Sequence, residues 1–122
     1  MESAWYGIKM ENLNLADVRL SLGYLPGAGR QFESALDASR KLGESEGEAL
    51  SLLGLGYAQL LGGEPSEAIT RFKAAAENAR RASDPVSLAG AANCVAQAHL
   101  ASHRLDLPAR RARGASARGN RR

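Results

Sequence analysis

Hydrophobic residues between positions 49 and 82 follow the period of two amphipathic helices. The segment 49–61 is apolar around most of a helix. The segment after it places apolar side chains on one helical stripe: Ala68, Ile69, Phe72, Ala75, Ala76 and Ala79. Gly62 and Gly63 separate the two halves, because glycine is costly inside a helix, and Pro65 suits the first turn of the next one. The pattern predicts an antiparallel helical hairpin.

The same pattern occurs forty residues earlier in the chain. With this shift and no gaps, eight residues are identical to their counterparts in the hairpin: Leu13, Leu15, Leu20, Gly23, Ala28, Phe32, Ala35 and Arg40. Downstream, the match is weaker but keeps small residues opposite small ones. A fixed period of about 20–50 residues is typical of a solenoid. We therefore predict repeats at 8–48 and 49–88 and a partial repeat at 89–103.

Local signals predict where the helices begin. After a separate N-terminal segment, 1–7, the first helix is expected to start near positions 7–10. Four of its residues are expected to be buried: Met10, Leu15, Val18 and Leu22. Ser45 and Glu48 have the spacing of a capping box at the start of the third helix. Asp84 and Pro85 fit a cap followed by a first-turn proline at the start of the fifth.

The end of the chain departs from the repeat. The helix that starts at Pro85 is expected to end near Ala101. At the position of the two phenylalanines the chain has Ala112, and residues 113–122 include no large apolar side chain. Such a segment buries too little surface to offset its ordering entropy. For residues 104–122 we predict an incomplete last helix of one or two turns and a disordered, arginine-rich tail.

Charge is divided unevenly along the 122 residues. From Arg104 onward there are seven arginines and one acid, Asp106, which give this segment a net charge of +6. Because the whole chain has a net charge of +3, residues 1–103 have a net charge of −3. No apolar run reaches the ~18 residues of a membrane span, and the first ten residues lack the pattern of a secretory signal. A single cysteine excludes an internal disulfide. We expect a cytoplasmic protein.

Six positions of the central hairpin carry a family resemblance. Counted from Ala49, positions 4, 7, 8, 20, 24 and 27 are Leu52, Leu55, Gly56, Ala68, Phe72 and Ala75. This pattern of large, small and aromatic residues resembles the tetratricopeptide repeat family. The forty-residue period and the joint at 43–49 are similar to its subgroup with longer helices, typified by Pins/LGN-type adaptors. The resemblance implies an all-α solenoid of αα-hairpins with about two and a half repeats.

The resemblance also implies a function. Proteins of this family bind extended peptides or helices on a concave face that is lined by the first helix of each hairpin. Carried over by position, the implied peptide-binding residues are Leu13, Asp17, Leu20, Leu50, Leu53, Tyr57, Leu60, Asn93 and Gln97. We therefore expect a protein–protein interaction adaptor, or scaffold, with a protein or peptide partner.

Two alternatives to this function stay open. In the first, a second copy of the chain covers the inner leucines, which makes the chain a self-association module. The arginine-rich tail offers charge to nucleic acid or to an acidic protein. No aromatic residues are interleaved with these arginines for base stacking, which disfavours nucleic acid.

The sequence shows no set of residues for catalysis. Cys94 has no basic neighbour close in sequence, and we interpret it as a buried, inert thiol. His99 and His103 share a helix face, but no third metal ligand has a suitable spacing. The inner positions also lack the cations of the carboxylate clamp used by chaperone-binding members of the family: Leu13, Asp17, Leu50 and Leu53. We predict no enzymatic activity, no metal and no cofactor.

Overall fold

The chain folds into a row of five α-helices. The computed structural model describes the backbone of residues 2–119 and the side chains of residues 4–104. The helices are α1 (Glu2–Ser21), α2 (Leu25–Leu42), α3 (Ser45–Leu61), α4 (Pro65–Arg81) and α5 (Pro85–Gly119). Each helix packs against the next along the chain, and the described residues include no strand. The predicted all-α solenoid of αα-hairpins is confirmed.

Glycines make the turn inside each complete hairpin. Gly23 has φ 78° and Gly63 has φ 80°, in the left-handed region that glycine enters without steric cost. After the first of these turns, the Tyr24 N–H donates to the Arg19 carbonyl across 2.8 Å. The second turn has the same bond, also at 2.8 Å. The two hairpins therefore close in the same way.

Two phenylalanines join successive helices. Phe32 and Phe72 are 3% and 0% exposed. A Cβ atom added to Gly54 would clash with the Phe32 ring, and one added to Gly56 would clash with the Phe72 ring. Helix α3 thus receives an aromatic ring from the preceding hairpin and another from its own. Phe72 also belongs to a buried cluster with Cys94 of α5.

The prediction of which α1 residues are buried is wrong. Exposure is 37% at Met10, 38% at Leu15, 55% at Val18 and 78% at Leu22, whereas Ala16 is fully buried. Among the described residues, α1 contacts α2 and α3, so its face toward these two helices is covered. Ala16 lies where that contact is closest, in the cluster that contains Phe32. The larger apolar residues lie where these neighbours cover them less.

Helix α1 also begins earlier than predicted, at Glu2 rather than near positions 7–10. Contacts with the joint between α2 and α3 hold its first turns. The Lys41 ammonium lies 4.1 Å from the centre of the Trp5 ring. Lys9 is buried and its ammonium is 2.7 Å from a carboxylate oxygen of Glu44. The residues of the predicted N-terminal segment that the structure describes therefore continue the first helix.

One of the two predicted caps is present. At α3 the capping box is wrong: Ser45 is already helical, Glu44 occupies the cap position, and no side chain caps the helix. The Glu44 carboxylate accepts from Lys9 instead. At α5 the prediction is confirmed, since the Ser87 N–H donates to Asp84 Oδ1 at 3.1 Å and the Ser87 hydroxyl donates to Oδ2. These hydrogen bonds lower the pKa of Asp84, and the bond from the Ser87 hydroxyl has the largest effect.

Helix α5 continues to Gly119, so the predicted break near Ala101 is wrong. Residues 104–119 are helical instead of forming one or two turns followed by disorder, and 120–122 lie outside the described residues. The position that corresponds to Gly63 is His103, which pays a steric cost in a left-handed turn. The following residues are rich in alanine and arginine, both strong helix formers. Pro108 removes one backbone donor but leaves the helix continuous.

Candidate peptide-binding groove

Six of the nine predicted binding residues line one cavity between α1 and α3. Its volume is about 430 Å³. The six residues are Leu13, Asp17, Leu20, Leu50, Leu53 and Tyr57. Met10, Asn14, Phe32 and Gly54 complete the described lining. We call this surface the α1–α3 groove.

The floor of the α1–α3 groove is packed and its rim is open. Phe32 reaches the floor because Gly54 has no side chain that would occupy its place. Half-buried leucines surround the ring: Leu13, Leu20 and Leu53. On the rim, Leu50 is 48% exposed and Tyr57 is 38% exposed. A ligand in this groove would therefore contact a fixed apolar base and displace water from two large side chains.

Contacts with two other helices hold Tyr57 in place. Its ring meets Phe72 edge-on, with 5.5 Å between centroids and an angle of 72°. The Cys94 thiol donates a hydrogen bond to the Tyr57 hydroxyl, with 3.2 Å between Sγ and the oxygen. This bond, with burial acting in the same direction, raises the pKa of Tyr57. Tyr57 thus offers a neutral, oriented hydroxyl at neutral pH, and Cys94 is buried as predicted.

A second cavity, of about 300 Å³, extends the groove toward the start of α3. It shares Met10, Leu13 and Leu50 with the first cavity. Its other lining residues are Tyr6, Lys9, Glu44, Glu46 and Gly47. The sequence pattern did not assign these residues to the site. The assigned binding residues on α1 started at Leu13, and no local signal links Lys9 to Glu44, its partner 35 residues away.

Three predicted residues lie outside the described lining of both cavities. Leu60 is half-buried against the cluster that contains Phe72 and Cys94. Asn93 and Gln97 are exposed on α5. The cavity is thus formed by α1, α2 and α3, and the part of the predicted surface on α5 is separate from it.

No group of three or more His, Cys, Asp or Glu residues that could hold a metal ion is found in the described part of the chain. His99 and His103 are both exposed on α5. Within the described residues, none of the helices combines the length and the apolar character that crossing a membrane requires.

Comparison with known proteins identifies the repeat. Residues 8–81 match the family model of the tetratricopeptide repeat, a stretch that extends from α1 to the end of α4. Neither a curated protein nor a solved structure matches the chain significantly. The matched stretch includes α2, α3, α4 and the part of α1 from residue 8 onward, with both phenylalanines and every described lining residue of the two groove cavities except Tyr6. Because it covers more than half of the sequence, the chain belongs to the tetratricopeptide repeat family.

Proposed function

We propose that this chain is a protein–protein interaction adaptor that binds a peptide or helix of its partner in the α1–α3 groove. Repeats of this family generally mediate protein–protein interactions, which supports the general class. The observation that carries the specific site is the apolar cavity of about 430 Å³ with Leu50 and Tyr57 exposed on its rim. Exposed apolar surface in a groove favours binding of a partner's apolar side chains.

The proposed interaction is helix-in-groove or peptide-in-groove packing without chemistry. Apolar side chains of the partner would cover Leu50 and the half-buried leucines, while Asp17 and the Tyr57 hydroxyl would bind polar groups. We propose no catalytic role. The free thiol of Cys94 fits a reducing compartment such as the cytoplasm.

We further propose that the chain belongs to the longer-helix subgroup that includes Pins/LGN-type adaptors. Helices α2 and α4 begin at positions 25 and 65, and α3 and α5 at positions 45 and 85. These spacings of forty residues support the proposal, as does the left-handed Gly43 at the joint between the hairpins. The subgroup assignment predicts a partner in signalling.

Leu50→Asp is the variant that tests the groove. Leu50 is half-exposed, so a carboxylate there is expected to abolish capture of a partner while leaving the helical circular dichroism unchanged. Leu61→Asp is the matched control: it lies on the same helix, is 62% exposed and is not in the described lining of either groove cavity. Leu53 is unsuitable because it packs against both buried clusters. Equal loss of capture in both variants would contradict the proposal.

Self-association is a second candidate function, favoured by the open face of α5. In α3, Leu52 is buried and Gly56 lies against the Phe72 ring of α4. The corresponding residues of α5, Ala92 and Ala96, are exposed. Light scattering over a hundredfold concentration range tests this candidate: a mass that doubles supports it, and a constant monomer mass contradicts it.

Binding of nucleic acid or of an acidic partner through the arginine-rich segment remains a prediction, because side chains beyond Arg104 lie outside the described residues. An affinity for duplex DNA that survives about 0.2 M salt would support it, since binding through charge alone falls steeply with salt.

A further inference from the structure

Carboxylates dominate the charge of the α1–α3 groove and its extension. Among the described residues that line the two cavities, the acids are Asp17, Glu44 and Glu46, and the cation is Lys9. The Lys9 side chain is 8% exposed, and its ammonium donates to both carboxylate oxygens of Glu44, at 3.1 and 2.7 Å. Lys9 and Glu44 thus neutralise each other. Asp17 and Glu46 remain to face a ligand, with no ion pair found for either among the described residues.

These two acids lie on either side of an apolar middle. Glu46, in the first turn of α3, lines the cavity that includes Tyr6. Asp17 lines the cavity that includes Leu20. The apolar residues shared by both cavities lie between them: Met10, Leu13 and Leu50. From Tyr6 to Leu20 the surface is about 20 Å long at ~1.5 Å per helical residue, which is the length of about four helical turns.

Building on the proposed function, we propose that this groove selects an apolar helical segment of a partner protein with Lys or Arg at both ends. Basic ends would approach Asp17 and Glu46, and this complementarity would accelerate encounter and favour correct docking. An acidic segment would meet two carboxylates and no available cation among the described lining residues. Like charges brought together in this way disfavour the complex.

The chain's own basic segment fits this ligand poorly. From Arg104 onward its large apolar residues are Leu105 and Leu107, and residues 113–122 contain none. It therefore has the charge but not an apolar stripe of four turns. The occupant is a segment of another protein, and a second copy of this chain is an outcome that the test distinguishes.

The test uses the full chain and three designed helical peptides with the same leucine stripe. Their ends carry Lys, Gln or Glu, and their dissociation constants are measured by fluorescence anisotropy at low salt. We expect the Lys peptide to bind about three- to tenfold more tightly than the Gln peptide, and the Glu peptide to bind more weakly than either. The differences should shrink at ~1 M salt, where the Debye length is about 3 Å.

Paired variants assign the preference to the two acids. Asp17→Asn with Glu46→Gln should remove the preference, so that the Lys, Gln and Glu peptides bind with similar affinities. Asp37→Asn with Glu67→Gln removes the same charge from exposed positions on α2 and α4, and this control should keep the preference.

The outcomes separate this inference from the proposed function. Equal binding of the three peptides would overturn the charge selectivity and leave groove binding intact. Failure of all three to bind a monomeric chain would overturn both. If light scattering shows a dimer that does not bind the Lys peptide and that Leu50→Asp dissociates, a second copy occupies the groove and the inference is wrong.

Discussion

Replacing Phe72 with alanine tests how the second hairpin packs against α5. Phe72 is fully buried, and its ring lies over Gly56 and beside Tyr57, in a cluster with Cys94. Loss of a buried phenylalanine ring typically costs about 3–5 kcal/mol, which combines lost apolar transfer energy with the cavity left behind. Gly56 supplies no side chain to fill that cavity, so we expect the upper part of this range.

The loss is large compared with the total stability of a small domain, which is about 5–15 kcal/mol. For a chain of this size it corresponds to a fall in Tm of about 10–20 °C. Thermal unfolding followed by circular dichroism measures it. Leu22→Ala is the control: Leu22 is 78% exposed, so its truncation should change stability by less than about 0.5 kcal/mol. An unchanged Tm for Phe72→Ala would refute the assignment of this residue to the core.

Three further predictions concern a buried ion pair, a helix cap and a close contact. Glu44→Ala leaves the buried Lys9 ammonium without its partner and should lower the free energy of unfolding in urea by about 1–3 kcal/mol. The double variant Lys9→Met with Glu44→Gln should recover much of this stability. Strictly additive effects of the substitutions at the two positions would contradict the pairing. The pKa of Asp84 is lower in the folded state than in the unfolded state. Its contribution to folding stability is therefore fully present above the unfolded-state pKa and is lost as the pH falls through the folded-state pKa. Asp84→Asn, which keeps a capping side chain, should unfold with less pH dependence between about pH 5 and 2. Gly54→Ala should destabilise the fold by about 1–3 kcal/mol, because the added methyl group would clash with the Phe32 ring. The control Gly29→Ala places its methyl group in open space and should not destabilise the fold.

The repeated core could be predicted because its positions follow from hairpin geometry. Phe32 and Phe72 recur at a fixed distance, and small residues recur where the helices approach. Each of these positions is specified by its own helix and the adjacent one. Spacing therefore located both rings, whereas the family resemblance, carried over by position, supplied the six groove residues whose side chains meet in one cavity.

Contacts that depend on distant residues or on the ends of the chain could not be predicted. Lys9 with Glu44 and Tyr57 with Cys94 are 35 and 37 residues apart, and neither pair repeats along the chain. The sequence pattern places the apolar Val18 on α1, but it does not show that this side chain is 55% exposed in the folded chain. Helix α5 continues because His103 stands where the other hairpins have a turn glycine. A pattern based on apolar positions gives little signal for this difference.

The same helix provides both the core and the proposed binding surface. Gly54 of α3 receives the ring of Phe32, and that ring forms the groove floor. Tyr57 contacts Phe72 on one side and lines the groove on the other. A substitution at either position therefore changes stability and binding together. Leu50 is half-exposed and lies outside both buried clusters, so its substitution can separate the two properties. The groove is thus rigid because the hairpins pack around α3, and a partner would gain affinity from this pre-organised floor.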